Sequence, residues 1–128
     1  MCAQLRVLVV DDDEVIASTT SLILNASGFE SVAAFSGEQA LVFAHSEPFH
    51  LLLTDVVMEP MNGIELAFAF LAIQPAAKVL LITGTPAAAQ LVLDALQRGR
   101  DFLVLQKPVH PRDLIEQLHT VSVLDAPR

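Results

Sequence analysis

The sequence predicts a single α/β domain in which five strands of a parallel sheet alternate with five helices that cover both faces. Strand-like and helix-like segments alternate along all 128 residues, with no linker, repeat or low-complexity segment. The strand-like runs are apolar on both faces, which is typical of buried parallel strands. This alternation favours a (βα)5 order with crossover helices on both sides of the sheet.

Short-range signals predict the first three strands and two helices. Arg6–Val10 is a β-branched apolar run, and Glu14–Ser27 has the apolar spacing of a helix. Asp12 or Asp13 supplies the N-cap of that helix, and Gly28 ends it. We expect strand two at Ser31–Phe35, helix two from a capping box formed by Ser36 and Gln39 to about His45, and strand three at His50–Leu53.

The second half of the chain shows the same kinds of signal. Thr85 followed by a proline is a typical helix start, and Gly99 is a typical helix end. We expect helix three at Gly63–Ile73, strand four at Lys78–Ile82, helix four from Pro86 to about Arg98, strand five at Phe102–Leu105 and helix five at Arg112–Val121.

Composition excludes several classes of protein. The net charge of −8 argues against nucleic-acid binding through phosphate neutralisation. No apolar run approaches the ~20 residues that span a bilayer, and the N-terminus has no signal-peptide pattern, so we expect a cytoplasmic protein. Cys2 is the single cysteine, which rules out a disulfide within the chain.

Polar residues follow four of the predicted strands and belong to one site. Asp11 and Asp12 follow strand one, Asp55 follows strand three, Thr83 follows strand four and Lys107 follows strand five. The carboxyl ends of parallel strands meet at one edge, where ligands bind. Crowded carboxylates repel one another unless a cation intervenes, and Mg²⁺ prefers oxygen ligands. With a hydroxyl and an ammonium, these groups are suited to phosphoryl transfer, in which an aspartate can be the nucleophile.

The motifs carry a family resemblance. The segments 7–13 (VLVVDDD), 55–58 (DVVM), 61–63 (MNG), 81–84 (LITG) and 107–108 (KP) occur in the order and spacing of a receiver domain of bacterial two-component response regulators. The chain resembles that family over about residues 5–122, within one domain of 1–128. The resemblance implies a flavodoxin-like, CheY-like fold with the strand order 2-1-3-4-5.

The resemblance also implies a role for each site residue. Asp55 would accept a phosphoryl group from a histidine kinase or a histidine phosphotransfer protein. Asp12, Asp55 and the Val57 backbone carbonyl would bind Mg²⁺ directly, with Asp11 acting through water. Lys107 would contact a phosphoryl oxygen, and its peptide bond to the next proline is expected to be cis. The Thr83 hydroxyl would turn to the phosphate and report its presence.

The chain departs from the family pattern at three places. Glu59 stands where a proline is usual, so a further carboxylate could lie near the metal. Val104 stands where an aromatic residue is usual, and Phe102 could replace that aromatic if strand five is bulged. Val57 and Thr85 occupy positions that tune the phosphoryl lifetime in the family. Neither is acidic or carries an amide, so neither can readily orient an attacking water, and we expect slow self-dephosphorylation.

Helix four is unusually apolar. Between Pro86 and Gln97 its strongly polar residues form one stripe: Gln90, Asp94 and Gln97. The remaining arc is wider than one core-facing stripe requires, which predicts a docking or dimer surface, unless its alanines simply lie in water. The resemblance implies an output face made of helix four, strand five and helix five, facing a downstream target or a second copy.

The sequence thus predicts a signalling module that catalyses its own phosphorylation and dephosphorylation, and not an enzyme with a small-molecule product. One alternative is a small phosphatase of the haloacid dehalogenase type, which would use Asp11 and Asp13 as its Asp-x-Asp pair but would leave Asp55 without a role. The other alternative is a pseudo-receiver that only docks, and this alternative predicts the loss of acidic or lysine positions that the chain retains.

Overall fold

The computed structural model describes residues 5–85, 87–100, 102–107 and 109–124. The strands are β1 (Arg6–Val10), β2 (Glu30–Ala34), β3 (Leu51–Asp55), β4 (Lys78–Thr83) and β5 (Leu103–Gln106). The helices are α1 (Glu14–Ala26), α2 (Gly37–Ser46), α3 (Gly63–Ile73), α4 (Ala87–Gln97) and α5 (Pro111–Leu124). The strands are parallel and lie in the order β2-β1-β3-β4-β5, which confirms the predicted fold class and strand order.

Alternating residues of the central strands build a core on each face of the sheet. Leu8, Val10, Leu52 and Leu81 pack with apolar residues of α2, α3 and α4. Val7, Val9, Leu51, Leu53 and Leu80 pack with residues of α1 and α5. Both faces of β1 and β3 are therefore shielded from water, which is why their sequence is a continuous apolar run.

The helix starts are fixed by side-chain caps. Asp13 is the N-cap of α1, and its Oδ1 accepts from the backbone N–H of Val15 at 3.0 Å. Ser36 caps α2 by accepting from the Gln39 N–H at 3.0 Å. The predicted capping box is wrong in its second half, because the Gln39 side chain accepts from the Phe35 N–H instead of the Ser36 N–H.

The strand bounds differ from the predicted ones because pairing continues past the apolar runs. Asp55 pairs with Ile82, and Thr83 pairs with Gln106, so polar residues are the last members of β3, β4 and β5. Phe102 precedes β5, and β2 ends at Ala34, one residue earlier than expected. The predicted proline start of α4 lies outside the described residues. None of the helices in the described ranges is both long and apolar enough to cross a bilayer.

Candidate functional site

Three carboxylates meet at the carboxyl edge of the sheet. β1 and β3 are neighbours, with Val10 paired to Thr54, so the next residues, Asp11 and Asp55, come side by side. One carboxylate oxygen from each of Asp11, Asp12 and Asp55 lies within 4.8 Å of the other two. Asp11 is buried, Asp55 is half-buried and Asp12 is exposed. The predicted convergence of these acids is therefore present in the structure.

Asp11 is the least exposed of the three acids, with 6% of its surface accessible. Burial raises its pKa above the usual range, and the neighbouring Asp55 and Asp12 carboxylates add to that shift. The Asp13 N–H, which donates to Asp11 Oδ1 at 2.9 Å, and the Lys107 ammonium lower the pKa of Asp11 in part. The net shift is upward because the burial of this carboxylate outweighs these two favourable contacts.

Lys107 reaches this acid cluster from the end of β5. Its Nζ lies 3.2 Å from Asp55 Oδ2 and 3.7 Å from Asp11 Oδ2. The Lys107 backbone N–H donates to the Thr83 carbonyl at 2.7 Å, which fixes where the side chain leaves the strand. The expected cis peptide after Lys107 lies outside the described residues.

Gly63 lets the chain pass close to the backbone carbonyl of Asp55. Its N–H donates to the Val56 carbonyl at 2.8 Å, while a Cβ at position 63 would lie 2.1 Å from the Asp55 carbonyl oxygen. That distance is far inside van der Waals contact, so this position requires glycine. The Thr54 hydroxyl donates to the same Asp55 carbonyl at 3.0 Å. Sequence reasoning missed these two supports, although Gly63 belongs to one of the motifs that carry the resemblance.

The Thr83 hydroxyl is held by a local hydrogen bond at the end of β4. Its hydroxyl donates to the Thr85 carbonyl at 3.3 Å, within the loop that joins β4 to α4. A contact with phosphate thus requires this side chain to turn. Val57 is 41% exposed, and the role of its carbonyl as a ligand stays a prediction. Glu59 is exposed and lies outside the group of three acids, so the structure does not place a fourth carboxylate in that group.

Phe102 does not take the place of the usual aromatic residue. The pairing of β4 with β5 runs without a bulge from Leu80–Leu103 to Thr83–Gln106. Phe102 therefore stays ahead of the strand, where its ring meets Phe68 of α3 edge-on with 5.8 Å between centroids. Val104 is half-buried and lines a cavity of 580 Å³ between β5, α4 and the loop that precedes α4.

The donor set fits a hard divalent cation. Three carboxylates offer oxygen atoms close to one another, and oxygen atoms are the ligands that a hard divalent cation prefers. The Lys107 ammonium supplies one positive charge on the side of Asp55. The arrangement can hold Mg²⁺ beside a carboxylate that keeps an oxygen free to react.

Comparison with known proteins agrees with this geometry. Residues 7–119 match the family model of the response regulator receiver domain. The chain is 37% identical to the response regulator receiver protein CpdR of Brucella abortus, over 92% of this chain and 97% of that protein. It is 30% identical to the DNA-binding response regulator MtrA of Mycolicibacterium smegmatis over 88% of this chain, which spans 48% of that protein.

A solved structure of a receiver domain has a similar fold. The CheY-like response regulator receiver domain protein from Methanospirillum hungatei superposes with a TM-score of 0.82 and 31% identity. The superposition covers 94% of each chain. The similarity therefore extends over nearly the whole fold.

Proposed function

The chain belongs to the response regulator receiver domain family, and from that premise we propose that it is a phospho-accepting switch of a two-component phosphorelay. The observation that carries the proposal is the setting of Asp55. Its Oδ2 lies 3.2 Å from the Lys107 ammonium, and Asp11 and Asp12 stand close by as cation ligands. Phosphoryl transfer needs this combination of a nucleophile, a cation site and a fixed positive charge.

The proposed reaction moves a phosphoryl group from a phosphohistidine to Asp55. An Asp55 carboxylate oxygen attacks phosphorus, the P–N bond breaks, and the imidazole leaves with its electron pair and takes up a proton. The acyl phosphate is the product. Asp11, Asp12, Asp55 and the Val57 carbonyl would hold Mg²⁺, which supplies positive charge for the phosphoryl oxygens when bound. Lys107 neutralises the charge that develops on another of those oxygens.

The output follows from a rotation of Thr83. Its hydroxyl leaves the Thr85 carbonyl and donates to a phosphoryl oxygen, which changes the face formed by α4, β5 and α5. Leu93 and Leu96 of α4 are each 51% exposed, which supports the predicted docking of a downstream protein or a second copy. The module releases no small-molecule product. It acts as a signalling switch and catalyses only its own phosphorylation and dephosphorylation.

The phosphodonor is proposed to be a sensor histidine kinase or a histidine phosphotransfer protein. Val15, Ile16 and Leu22 of α1 are 73%, 42% and 69% exposed, so apolar side chains stand on the helix that follows Asp11–Asp13. Such residues suit a protein donor more than a small phosphate ester. We expect this exchange in the cytoplasm. MtrA is named a DNA-binding protein, but for this acidic chain we propose no direct contact with nucleic acid.

The geometry disfavours the phosphatase alternative. That alternative needs Asp13 at the reacting centre, but Asp13 Oδ1 accepts from the N–H groups of Val15 and Ile16 as the cap of α1. The Asp55 carboxylate, which the phosphatase would not use, is the one that Lys107 contacts most closely. The docking-only alternative is also disfavoured, because Asp11, Asp12, Asp55 and Lys107 are retained and brought together.

Acetyl phosphate with Mg²⁺ tests the proposal. The native chain is expected to gain the mass of one phosphoryl group, and Asp55→Asn is expected to gain none. Asp13→Asn is the matched control, since asparagine also caps a helix and leaves Asp55 in place. An adduct that persists in Asp55→Asn, or that disappears in Asp13→Asn, would contradict the assignment. We also expect the phosphate on the native chain to outlast a few seconds, because Val57 and Thr85 cannot activate water.

A further inference from the structure

Thr54 is a buried polar residue directly before the proposed phosphate acceptor. It follows Leu51–Leu53 in β3, and only 1% of its surface is accessible. Because side chains alternate along a strand, it lies on the same face as Leu52 and Val56, which belong to the core that includes α2 and α3. Its Oγ1 is 4.0 Å from the sulfur of Met58. Valine has the same shape and would bury no polar atom, so packing alone does not require a hydroxyl here.

The Thr54 hydroxyl holds one end of the peptide group that follows Asp55. It donates to the Asp55 carbonyl at 3.0 Å. The N–H of the same peptide group belongs to Val56 and donates to the Ile82 carbonyl at 2.9 Å. The carbonyl and the N–H thus have separate partners, one in β3 and one in β4. Because a peptide group is planar, hydrogen bonds at its two ends fix its orientation.

The orientation of this peptide group matters for the proposed nucleophile. It sets the ψ angle of Asp55, and therefore the position of the backbone from which the carboxylate projects. The next peptide group is also held, because the Gly63 N–H donates to the Val56 carbonyl at 2.8 Å. The carboxylate thus leaves a backbone that is fixed on its carboxyl side, and its Oδ2 lies 3.2 Å from Lys107 Nζ.

We propose that Thr54 is a positioning residue for phosphoryl transfer, whose hydroxyl keeps the Asp55 backbone in the orientation that holds the carboxylate against the Lys107 ammonium. The inference rests on the proposed function and adds a residue that acts through Asp55 without touching the phosphoryl group. A nucleophile that loses its alignment with phosphorus reacts more slowly even in a protein that keeps its fold.

Three substitutions at two positions test this role. Thr54→Val removes the hydroxyl and keeps the shape, while Thr54→Ser keeps the hydroxyl and removes a methyl group. Ser21→Ala is the matched control, because Ser21 of α1 is 8% exposed and its hydroxyl is hydrogen-bonded to that of Ser31. The rate of phosphorylation by acetyl phosphate is measured at saturating Mg²⁺, and urea denaturation gives the free energy of unfolding of each chain.

We expect Thr54→Val to be phosphorylated about tenfold more slowly than the native chain, as for other groups that orient a reacting or metal-binding carboxylate. Thr54→Ser and Ser21→Ala should stay within about twofold of the native rate, whatever their loss of stability. In the metal-free protein, the nitrogen NMR resonance of Lys107 Nζ should shift in Thr54→Val alone, because it reports the contact between the ammonium and Asp55.

The outcomes separate the positioning role from the function on which it rests. A folded Thr54→Val chain that is phosphorylated at the native rate overturns the role of Thr54 and leaves the switch standing. Equal slowing in Thr54→Ser or in Ser21→Ala also overturns it, since the Thr54 hydroxyl is then not the cause. A native chain that takes no phosphoryl group removes the proposed function as well. If Thr54→Val does not fold, Thr54→Ala decides: it too lacks the hydroxyl and must show the same loss of rate.

Discussion

The two ends of the sheet differ in how their charged side chains are paired. At the amino end, the Arg6 guanidinium is surrounded by partners. At the carboxyl end, the Lys107 ammonium faces Asp11 and Asp55, with Asp12 beside them. At the amino end one cation pairs with two glutamates, whereas at the carboxyl end one cation stands beside three aspartates that lie close together. We infer that the first end stabilises the fold and that the second is reserved for a cation and a phosphoryl group.

Arg6 has several partners at this end, although its buried Nε makes no hydrogen bond and has only an ion-pair contact. Its Nε lies 3.3 Å from Glu30, its Nη2 pairs with Glu47, and its Nη1 donates to the Pro48 carbonyl at 2.6 Å. The guanidinium also lies 4.8 Å from the centre of the Phe49 ring. These groups come from the start of β2 and from the segment between α2 and β3, so one side chain of β1 ties both to its own strand. Among the described residues, Asp11 has fewer favourable contacts, namely the Asp13 N–H and the Lys107 ammonium, and burial raises its pKa.

The largest expected effect comes from removing the cation at the functional end. Lys107→Met keeps the length of the stem but takes away the charge 3.2 Å from Asp55. We expect the rate of phosphorylation by acetyl phosphate to fall by about a hundredfold, the usual cost of losing a group that stabilises developing charge. We also expect Mg²⁺ to bind more tightly, because the ammonium no longer competes for the carboxylates. Adduct formation followed by mass and calorimetric Mg²⁺ titration measure the two effects.

Arg6→Met is the same change at the other end of the sheet. It removes a largely buried guanidinium that pairs with two glutamates and a carbonyl. We expect the free energy of unfolding to fall by about 2 kcal/mol, as for other hydrogen bonds to charged groups. The rate of phosphorylation should stay as in the native chain. Urea denaturation and the adduct assay measure this pair of results, and a slower phosphorylation with unchanged stability would break the contrast between the two ends.

The two ends also differ in how far the sequence predicts them. Asp11, Asp55 and Lys107 were predicted to meet, because the order of parallel strands determines which strand ends are neighbours. The Arg6 network was not predicted. Its partners lie at the start of β2 and after α2, and one charged residue at the start of a strand carries no signal about which segments will reach it. The same limit applies to Gly63. Glycine is required there because the Asp55 carbonyl lies so close, and only the structure shows that approach.

The smallest expected effect concerns the buried acid itself. Burial raises the pKa of Asp11, so the folded protein holds this proton more tightly than the unfolded chain does. The resulting stabilisation is complete below the ordinary carboxyl pKa of about 4 and is lost as the pH rises through the raised value. Above the raised pKa and without a metal, the ionised Asp11 therefore destabilises the fold. Asp11→Asn keeps an acceptor for the Asp13 N–H, which donates at 2.9 Å, and removes the charge.

We expect Asp11→Asn to be more stable than the native chain at neutral pH in the presence of a chelator. This advantage should shrink as the pH falls toward about 4, because the native carboxyl then becomes neutral too. Mg²⁺ should reverse the order, since it stabilises a protein that retains all three carboxylates more than one that has lost a ligand. Urea denaturation across this pH range provides the measurement. A variant that is less stable than the native chain at neutral pH without Mg²⁺ would show that Lys107 already balances the acids, and the contrast with the Arg6 end would disappear.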